Sequence, residues 1–234
     1  MLSVTEAATR TGLSARRVRA LISGGALRAT KVGAAYVVDD RDLDDFLRRE
    51  RPAHTRAFSP RVAWAAAALL DGAQAGWLRA DERSRLRSRL TSTGAAPGTW
   101  QAWTARLAQT RTTFRASPAQ VEAVLSAPST VRSGRSASNL VTDPLVGLAS
   151  ATVWTSTLDD VDHLRRHLGL LRSDAGNVTI STPPPIGLTA LGTDGHNAFR
   201  LVVAHDLLTE DDPRSTSAGT ALLNAITTSR AISS

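Results

Sequence analysis

The sequence contains no cysteine, and this absence excludes disulfide bonds, zinc sites built on thiolates and cysteine nucleophiles. It also lacks any run of about twenty uninterrupted apolar residues, so it predicts no membrane-spanning helix. The first residues, Met1 to Glu6, are not a basic region followed by an apolar run, which predicts no signal peptide and a cytoplasmic protein. Lysine is nearly absent, because Lys31 is the single lysine among 28 basic residues.

The chain has 234 residues, a hydrophobic content of 42% and a mean hydropathy of −0.13, which predicts a folded protein with a core and more than one domain. Its net charge of +7 is unevenly spread. Residues 1–56 carry +4, residues 57–135 carry +7 and residues 136–234 carry −4. The basic part suits a polyanion, and the acidic part suits a protein or small-molecule partner. The alternative is that the arginine content reflects only a biased genome.

The first 25 residues have the pattern of two short helices joined by a tight turn. Ser3 and Glu6 form a capping-box pattern for the first helix, and Ser14 is a good N-cap for the second. Gly24 and Gly25 end the second helix, since glycine tolerates the left-handed backbone found there. The predicted buried stripes are Val4, Ala7 and Ala8 in the first helix and Val18, Leu21 and Ile22 in the second.

The second of these helices has a basic outer face. Arg16 and Arg19 lie opposite the apolar stripe together with the small Ala20, and Arg17 lies at the flank. Small residues permit close approach to a groove, and guanidinium groups can contact guanine edges or phosphates. The pattern therefore predicts a DNA recognition helix.

A hairpin and a third helix follow. Residues 27–32 and 36–38 are β-prone runs separated by Gly33-Ala34-Ala35, which predicts a hairpin or wing. Asp40 is the predicted cap of a third helix, with Leu43, Phe46 and Leu47 as its core stripe.

This order of elements over residues 1–50 resembles the winged helix-turn-helix of excisionase and MerR-type proteins. The resemblance implies sequence-specific binding of duplex DNA, usually as a dimer. The wing tip of that family is often basic, whereas here it is Ala34-Ala35, which leaves Lys31 and Arg28 for wing contacts. A structural or protein-binding helix-turn-helix is the alternative. The matching residues are Thr5-Glu6-Ala7-Ala8, Gly12-Leu13-Ser14, Arg17-Val18-Arg19, Ile22, Gly25, Leu27, Val32-Gly33 and Asp42-Leu43. The predicted DNA-binding residues are Ser14, Ala15, Arg16, Arg17, Arg19, Arg28 and Lys31.

Three domains are predicted: the winged helix-turn-helix of residues 1–52, a helical linker or dimerisation segment of residues 53–128, and an α+β domain of residues 129–234 that binds a partner or ligand. The fold class is α+β overall. The predicted helices after the linker at 48–56 start at Ser59-Pro60 and end at Gly76, then span 81–90, 97–109 and 118–126. The C-terminal prediction comprises strands at 152–155, 177–181 and 199–204, a helix at 157–167 and a last helix from Asp212-Pro213.

The sequence contains no convincing catalytic motif. The sequence has no Walker loop, no Rossmann glycine fingerprint and no G-x-S-x-G elbow. His163 and His167 are four residues apart and could share a zinc ion, with a solvated helix face as the favoured alternative. His205-Asp206 is predicted to follow a strand, most simply as a turn. The sequence predicts no enzymatic activity, no cofactor and no metal.

The C-terminal part resembles antitoxins of the AbiEi type and related actinobacterial regulators. The resemblance implies an antitoxin that represses its own operon and opposes a partner toxin through its C-terminal region. Two alternatives stay open at this point: a ligand-responsive transcription regulator, and a DNA-tethered metal enzyme that uses His163 and His167. The residues that carry the resemblance are 131–137, 145–154, 176–179, 206–208 and 212–214.

Overall fold

A computed structural model describes residues 2–11, 14–25, 27–33, 35–49, 57–92, 97–140, 150–188, 190–210 and 212–231. The chain divides into two compact units. The first unit comprises residues 1–56 and 93–102, and the second comprises residues 57–92 and 103–234. Whether residues 1–52, 53–128 and 129–234 fold as separate domains stays a prediction.

The first unit has the order of elements that the sequence predicts, with one added strand. Its three strands form an antiparallel sheet in the order β1-β3-β2, with Leu2 opposite Val38 and Lys31 opposite Tyr36. The two-residue strand β1 was not predicted, because so short a segment has no period of its own. The elements are β1 (Leu2–Ser3), α1 (Val4–Thr11), α2 (Ala15–Ser23), β2 (Thr30–Val32), β3 (Ala35–Val38) and α3 (Asp40–Arg49).

Local signals at the helix ends explain these bounds. Ser3 Oγ accepts a hydrogen bond from the Glu6 amide, and a Glu6 carboxylate oxygen accepts one from the Ser3 amide at 2.7 Å, so the predicted capping box is confirmed. The Ser3 amide and hydroxyl, in that order, lower the pKa of Glu6. The predicted cap of the third helix is wrong by one residue. Asp39 precedes α3 and its carboxylate accepts from the Arg41 amide at 2.9 Å, whereas Asp40 lies inside the helix.

The predicted stripes form the core of the first unit. The core packs α1 and α2 against β3 and α3, and Ile22 is only partly buried. Gly12, Leu13 and the side chain of Leu47, together with the linker residues 50–56, lie outside the described residues. The buried residues are Val4, Ala7, Ala8, Val18, Leu21, Leu27, Val38, Leu43 and Phe46.

The second unit is built on a five-stranded sheet. The strand order is β5-β6-β8-β4-β7; β6 and β8 are parallel, and the other pairs are antiparallel. The strands are β4 (Thr110–Arg115), β5 (Thr130–Arg132), β6 (Ala151–Thr155), β7 (Leu171–Arg172) and β8 (Val178–Thr182). The helices are α4 (Pro60–Leu70), α5 (Ala80–Ser92), α7 (Pro118–Leu125), α8 (Leu158–Leu168), α9 (Arg200–Thr209) and α10 (Pro213–Ala231), while α6 (Pro97–Thr104) contributes residues to both units.

The two faces of this sheet differ in chemistry. One face is apolar, with Phe114, Val153 and Ile180 packed in a core with residues of α7 and α8. The other face carries Arg111, Ser181 and Trp154 side by side on three neighbouring strands. Asp206 of α9 is completely buried and accepts hydrogen bonds from Arg111 Nη1 and Trp154 Nε1, both at 2.8 Å, and from Ser133 Oγ at 2.5 Å. A buried carboxylate with three donors therefore ties α9 to the sheet.

Several sequence predictions for this unit are wrong. Residues 199–204 are not a central strand, since Arg200–Thr209 form the buried helix α9, and His205-Asp206 consequently lies within a helix rather than after a strand. A short apolar run has no period that separates a buried strand from a buried helix.

The segment 53–128 is not wholly helical, because Thr110–Arg115 is strand β4. The helix that starts at Pro60 ends at Leu70 rather than at Gly76, and the helix that starts at Pro97 ends at Thr104 rather than at 109. Arg48 and Arg49, predicted as linker, belong to α3. Capping boxes at Ser117 and Thr157 mark the starts of α7 and α8, close to the predicted helix starts.

Candidate nucleic-acid interface

The helix α2 is fixed at both ends by short-range contacts. Ser14 Oγ accepts a hydrogen bond from the Arg17 amide at 3.2 Å, which confirms Ser14 as the N-cap. At the other end, Gly25 has a φ of +73°, a backbone conformation that glycine adopts without strain. Val18 and Leu21 are buried and anchor the inner face of α2. The helix therefore presents its outer face in one defined orientation within the unit.

The outer face of α2 carries three exposed arginine side chains. Arg16, Arg17 and Arg19 are all exposed. In the part of the chain that the structure describes, none of the three guanidinium groups has a carboxylate partner. Ala15 is half-buried at the start of the helix, and Ala20 is exposed. Unpaired guanidinium groups beside small side chains suit both phosphate and base contacts in a groove.

Another arginine of the first unit, Arg10, has its positive charge neutralised by ion pairs. Arg10 donates to Asp40 at 2.6 Å and to Asp44 at 2.9 Å, so its charge is balanced by α3. The contrast shows that some arginines of this unit are neutralised by ion pairs, whereas those of α2 have no carboxylate partner among the described residues.

The N-terminus of α2 adds donors to the same face. The first amides of a helix lack intrahelical acceptors and carry partial positive charge, which favours an anion. Ser14 is exposed, and its hydroxyl oxygen is already used as the cap acceptor, so its hydrogen remains available to donate. The start of α2 therefore offers hydrogen-bond donors to an anion in addition to the exposed arginines.

The hairpin of β2 and β3 is the predicted wing. Lys31 is exposed on β2, and Gly33 at the turn has a φ of +61°. Ala34 lies outside the described residues. Val32 is 59% exposed beside the turn and is not among the residues predicted to bind DNA. An apolar residue next to a glycine hairpin turn is a signal that could have identified it.

Arg28 lies in a different electrostatic setting from Lys31. Arg28 is exposed and lines a groove that also contains Tyr36, Asp39 and Asp42. Two carboxylates in this groove oppose the approach of a polyanion. The basic surface is therefore strongest at α2 and Lys31, and weaker at Arg28.

The other candidate residues are placed as follows. His163 and His167 are exposed on α8 with nearly parallel rings whose centroids lie 5.7 Å apart. Over the described residues, no group of three or more histidine, aspartate and glutamate side chains is placed to hold a metal ion. His205 Nδ1 lies 2.8 Å from Thr104 Oγ1, and burial lowers the pKa of His205 against the opposing effect of Asp206. The pair formed by His205 and Asp206 thus belongs to the interior of the second unit.

No helix in the described segments is long and apolar enough to cross a membrane. No curated protein and no solved structure matches the chain. Residues 1–51 match the family model of a helix-turn-helix domain, in agreement with the helices and hairpin found there. The N-terminal part of the chain is a helix-turn-helix domain, and this domain supports a DNA-binding regulator.

Proposed function

We propose that the chain is a sequence-specific DNA-binding repressor that acts as the antitoxin of a toxin–antitoxin pair. The observation that carries the DNA-binding part is the exposed face of α2, where Arg16, Arg17 and Arg19 have no carboxylate partner among the described residues. In this proposal α2 enters the major groove and Lys31 of the hairpin contacts a neighbouring phosphate. A homodimer would read two half-sites about one helical turn apart, or a multiple of that distance.

The antitoxin part of the proposal rests on the C-terminal resemblance and on charge. Residues 136–234 carry ten acidic and six basic residues, which disfavours DNA as their partner. An acidic segment is complementary to a basic toxin protein. In this proposal residues 136–234 hold the toxin, and no catalytic role is assigned to the chain.

A second candidate function, a ligand-responsive regulator, is supported by a buried hydroxyl group on the five-stranded sheet. Ser181 Oγ has no hydrogen-bond partner within the described ranges of the chain. It lies near the carboxyl ends of the adjacent parallel strands β6 and β8, on the face that carries Arg111 and Trp154, and ligands bind at such strand ends in many open sheets. An unsatisfied buried hydroxyl at such a position is compatible with a polar small-molecule ligand.

The DNA-binding part is tested with duplexes taken from the region upstream of the gene. Fluorescence anisotropy would compare each duplex with a scrambled duplex of the same composition. We expect Arg16→Ala to weaken binding to the specific duplex by about tenfold or more, and we expect affinity to fall steeply with salt as counterions are released. Arg41→Ala, an exposed arginine on α3, is the matched control. Equal affinity of Arg16→Ala and the wild-type chain would contradict the assignment of α2.

The antitoxin part is tested by growth rescue. The adjacent reading frame would be expressed alone and together with this chain, and colonies would be counted. Growth arrest that co-expression relieves supports the antitoxin proposal. A harmless neighbour would contradict it and would favour the ligand-responsive regulator, which a metabolite-dependent shift in melting temperature would then support.

A further inference from the structure

The four arginines of α5 have different environments although they alternate along one helix. Arg85 pairs with Asp81 at 2.6 Å. Arg89 stacks over the rings of Phe58 and Trp103, with its guanidinium carbon 4.8 Å from each ring centroid. Two of the four thus have defined structural partners.

Arg83 and Arg87 instead line a pocket of about 380 Å³ together with the loop Gly72–Gly76. We call it the α4–α5 pocket. Arg83 is half-buried and donates to the carbonyl of Leu78, which holds its side chain in place and leaves its other guanidinium donors available. Arg87 is exposed and has no carboxylate partner among the described residues.

The loop that lines the pocket contains main-chain amides without acceptors. The amides of Gly72 and Ala73 are used, because they donate to Leu69 and Ala68 of α4. The next three amides, those of residues 74–76, have no acceptor within the described ranges of the chain. Consecutive free amides in a glycine-flanked loop are a common feature of anion-binding sites.

The nearest carboxylates do not cancel this positive charge. Asp71 precedes the loop, but its carboxylate is 6% exposed and accepts from the Arg200 amide at 2.7 Å and from Arg200 Nε at 2.6 Å. Asp81 is held by Arg85, and Glu82 accepts from the Arg79 amide at 2.8 Å. The residues that line the pocket include no acidic side chain.

We propose that the α4–α5 pocket binds a phosphoryl group through Arg83, Arg87 and the free amides of the Gly72–Gly76 loop. Two guanidinium groups and main-chain donors are the groups that recognise phosphate oxygens most strongly. The phosphoryl group is carried either by a small phosphorylated molecule or by a DNA backbone. The site lies on the second unit and is distinct from the face of α2.

The test uses the full chain and two probes. Inorganic pyrophosphate is titrated by calorimetry, and a duplex of random sequence is titrated by anisotropy at several salt concentrations. The variants are Arg87→Gln and Gly76→Asp. Gly76 has open space where a Cβ would lie and no left-handed backbone, so the new carboxylate enters without strain. Arg85→Gln removes the same charge from the same helix outside the pocket and is the matched control.

We expect Arg87→Gln and Gly76→Asp each to lower the affinity for one of the two probes by about tenfold or more. The affinity of Arg85→Gln should stay within about twofold of the wild-type value. Weaker pyrophosphate binding identifies a small phosphorylated ligand. If the variants bind the duplex more weakly, and the slope of log affinity against log salt concentration becomes shallower by about 0.9, the ligand is a backbone phosphate. Unchanged binding of both probes, or equal losses in Arg85→Gln, would overturn the proposal. Pyrophosphate binding does not depend on Arg16, so failure of operator recognition leaves this result intact.

Discussion

Two arginines of α2 and three of the second unit, Arg89, Arg111 and Arg200, have the same side chain and opposite environments. On α2, Arg16 and Arg19 are exposed without a carboxylate partner among the described residues. In the second unit, Arg111 and Arg200 pair with the buried carboxylates of Asp206 and Asp71 at 2.8 and 2.6 Å. Arg89 covers two aromatic rings. The comparison shows that arginine content alone does not indicate a nucleic-acid surface, because many of these groups are used for folding.

The largest loss of stability is expected when the buried carboxylate of the second unit is removed. Asp206→Ala would leave Arg111, Trp154 Nε1 and Ser133 Oγ without their acceptor. Loss of one partner of a buried pair costs about 3 kcal/mol of unfolding free energy, at the lower end of the usual range because Arg111 is partly exposed. Urea denaturation measures this change. Asp174→Ala, at an exposed aspartate of the same unit, is the control, and equal stability of the two variants would contradict the role of Asp206.

We expect the stability of the second unit to depend on pH through His205. Burial lowers the pKa of this imidazole in the folded state, so the unfolded chain takes up the proton first as the pH falls below about 6.5. The contribution of His205 to the unfolding free energy should therefore decrease with falling pH, by at most about 1.4 kcal/mol per pH unit, whereas Glu210, whose pKa burial raises, contributes with the opposite sign. His205→Gln should flatten this dependence in denaturation curves between pH 7 and pH 5. An unchanged pH dependence in His205→Gln would contradict the assignment.

A smaller effect is expected at the cap of α2. Ser14→Ala removes the acceptor of the Arg17 amide and should cost about 1 kcal/mol of unfolding free energy. Ser14→Asp restores an acceptor and adds a charge that the helix N-terminus stabilises. We expect Ser14→Asp to recover stability, measured by thermal denaturation, and to weaken DNA binding because its carboxylate repels phosphate. Tighter DNA binding by Ser14→Asp would contradict the placement of this helix end against DNA.

The smallest expected effect on stability compares an arginine of the second unit directly with an arginine of α2. Arg89→Ala removes the guanidinium from the rings of Phe58 and Trp103 and should cost about 0.5–1 kcal/mol of unfolding free energy. Arg19→Ala, on the outer face of α2, should leave stability unchanged within about 0.5 kcal/mol. Parallel urea titrations measure both values. The comparison fails if Arg19→Ala destabilises the chain as much as Arg89→Ala does.

The first unit could be predicted from the sequence because its signals are local. The cap at Ser14, the box of Ser3 and Glu6, and the stop at Gly25 act within a few residues and are all confirmed. The arginine face then follows from the helical period. The sequence could not decide which aspartate caps α3, because Asp39 and Asp40 are adjacent and aspartate is favoured at N-caps in general. The backbone geometry places Asp39 at the cap.

The second unit was predicted less well because long-range contacts decide its structure. The run Phe199 to Ala204 is apolar in either secondary structure, and packing against α10 and the sheet makes it part of helix α9. Strand β4 pairs with β8, a segment nearly seventy residues later, so no local signal marks it. The partners of Asp206 come from three distant parts of the chain, and the α4–α5 pocket joins a loop to a helix face.

The central claim is that α2 and the hairpin form the surface that contacts DNA. Amide hydrogen exchange, measured with and without the specific duplex, tests it directly. We predict slower exchange in residues 15–23 and 28–32 when DNA is bound, because the bound duplex covers and stabilises both segments. Unchanged exchange in these two segments, together with protection elsewhere in the chain, would contradict the claim.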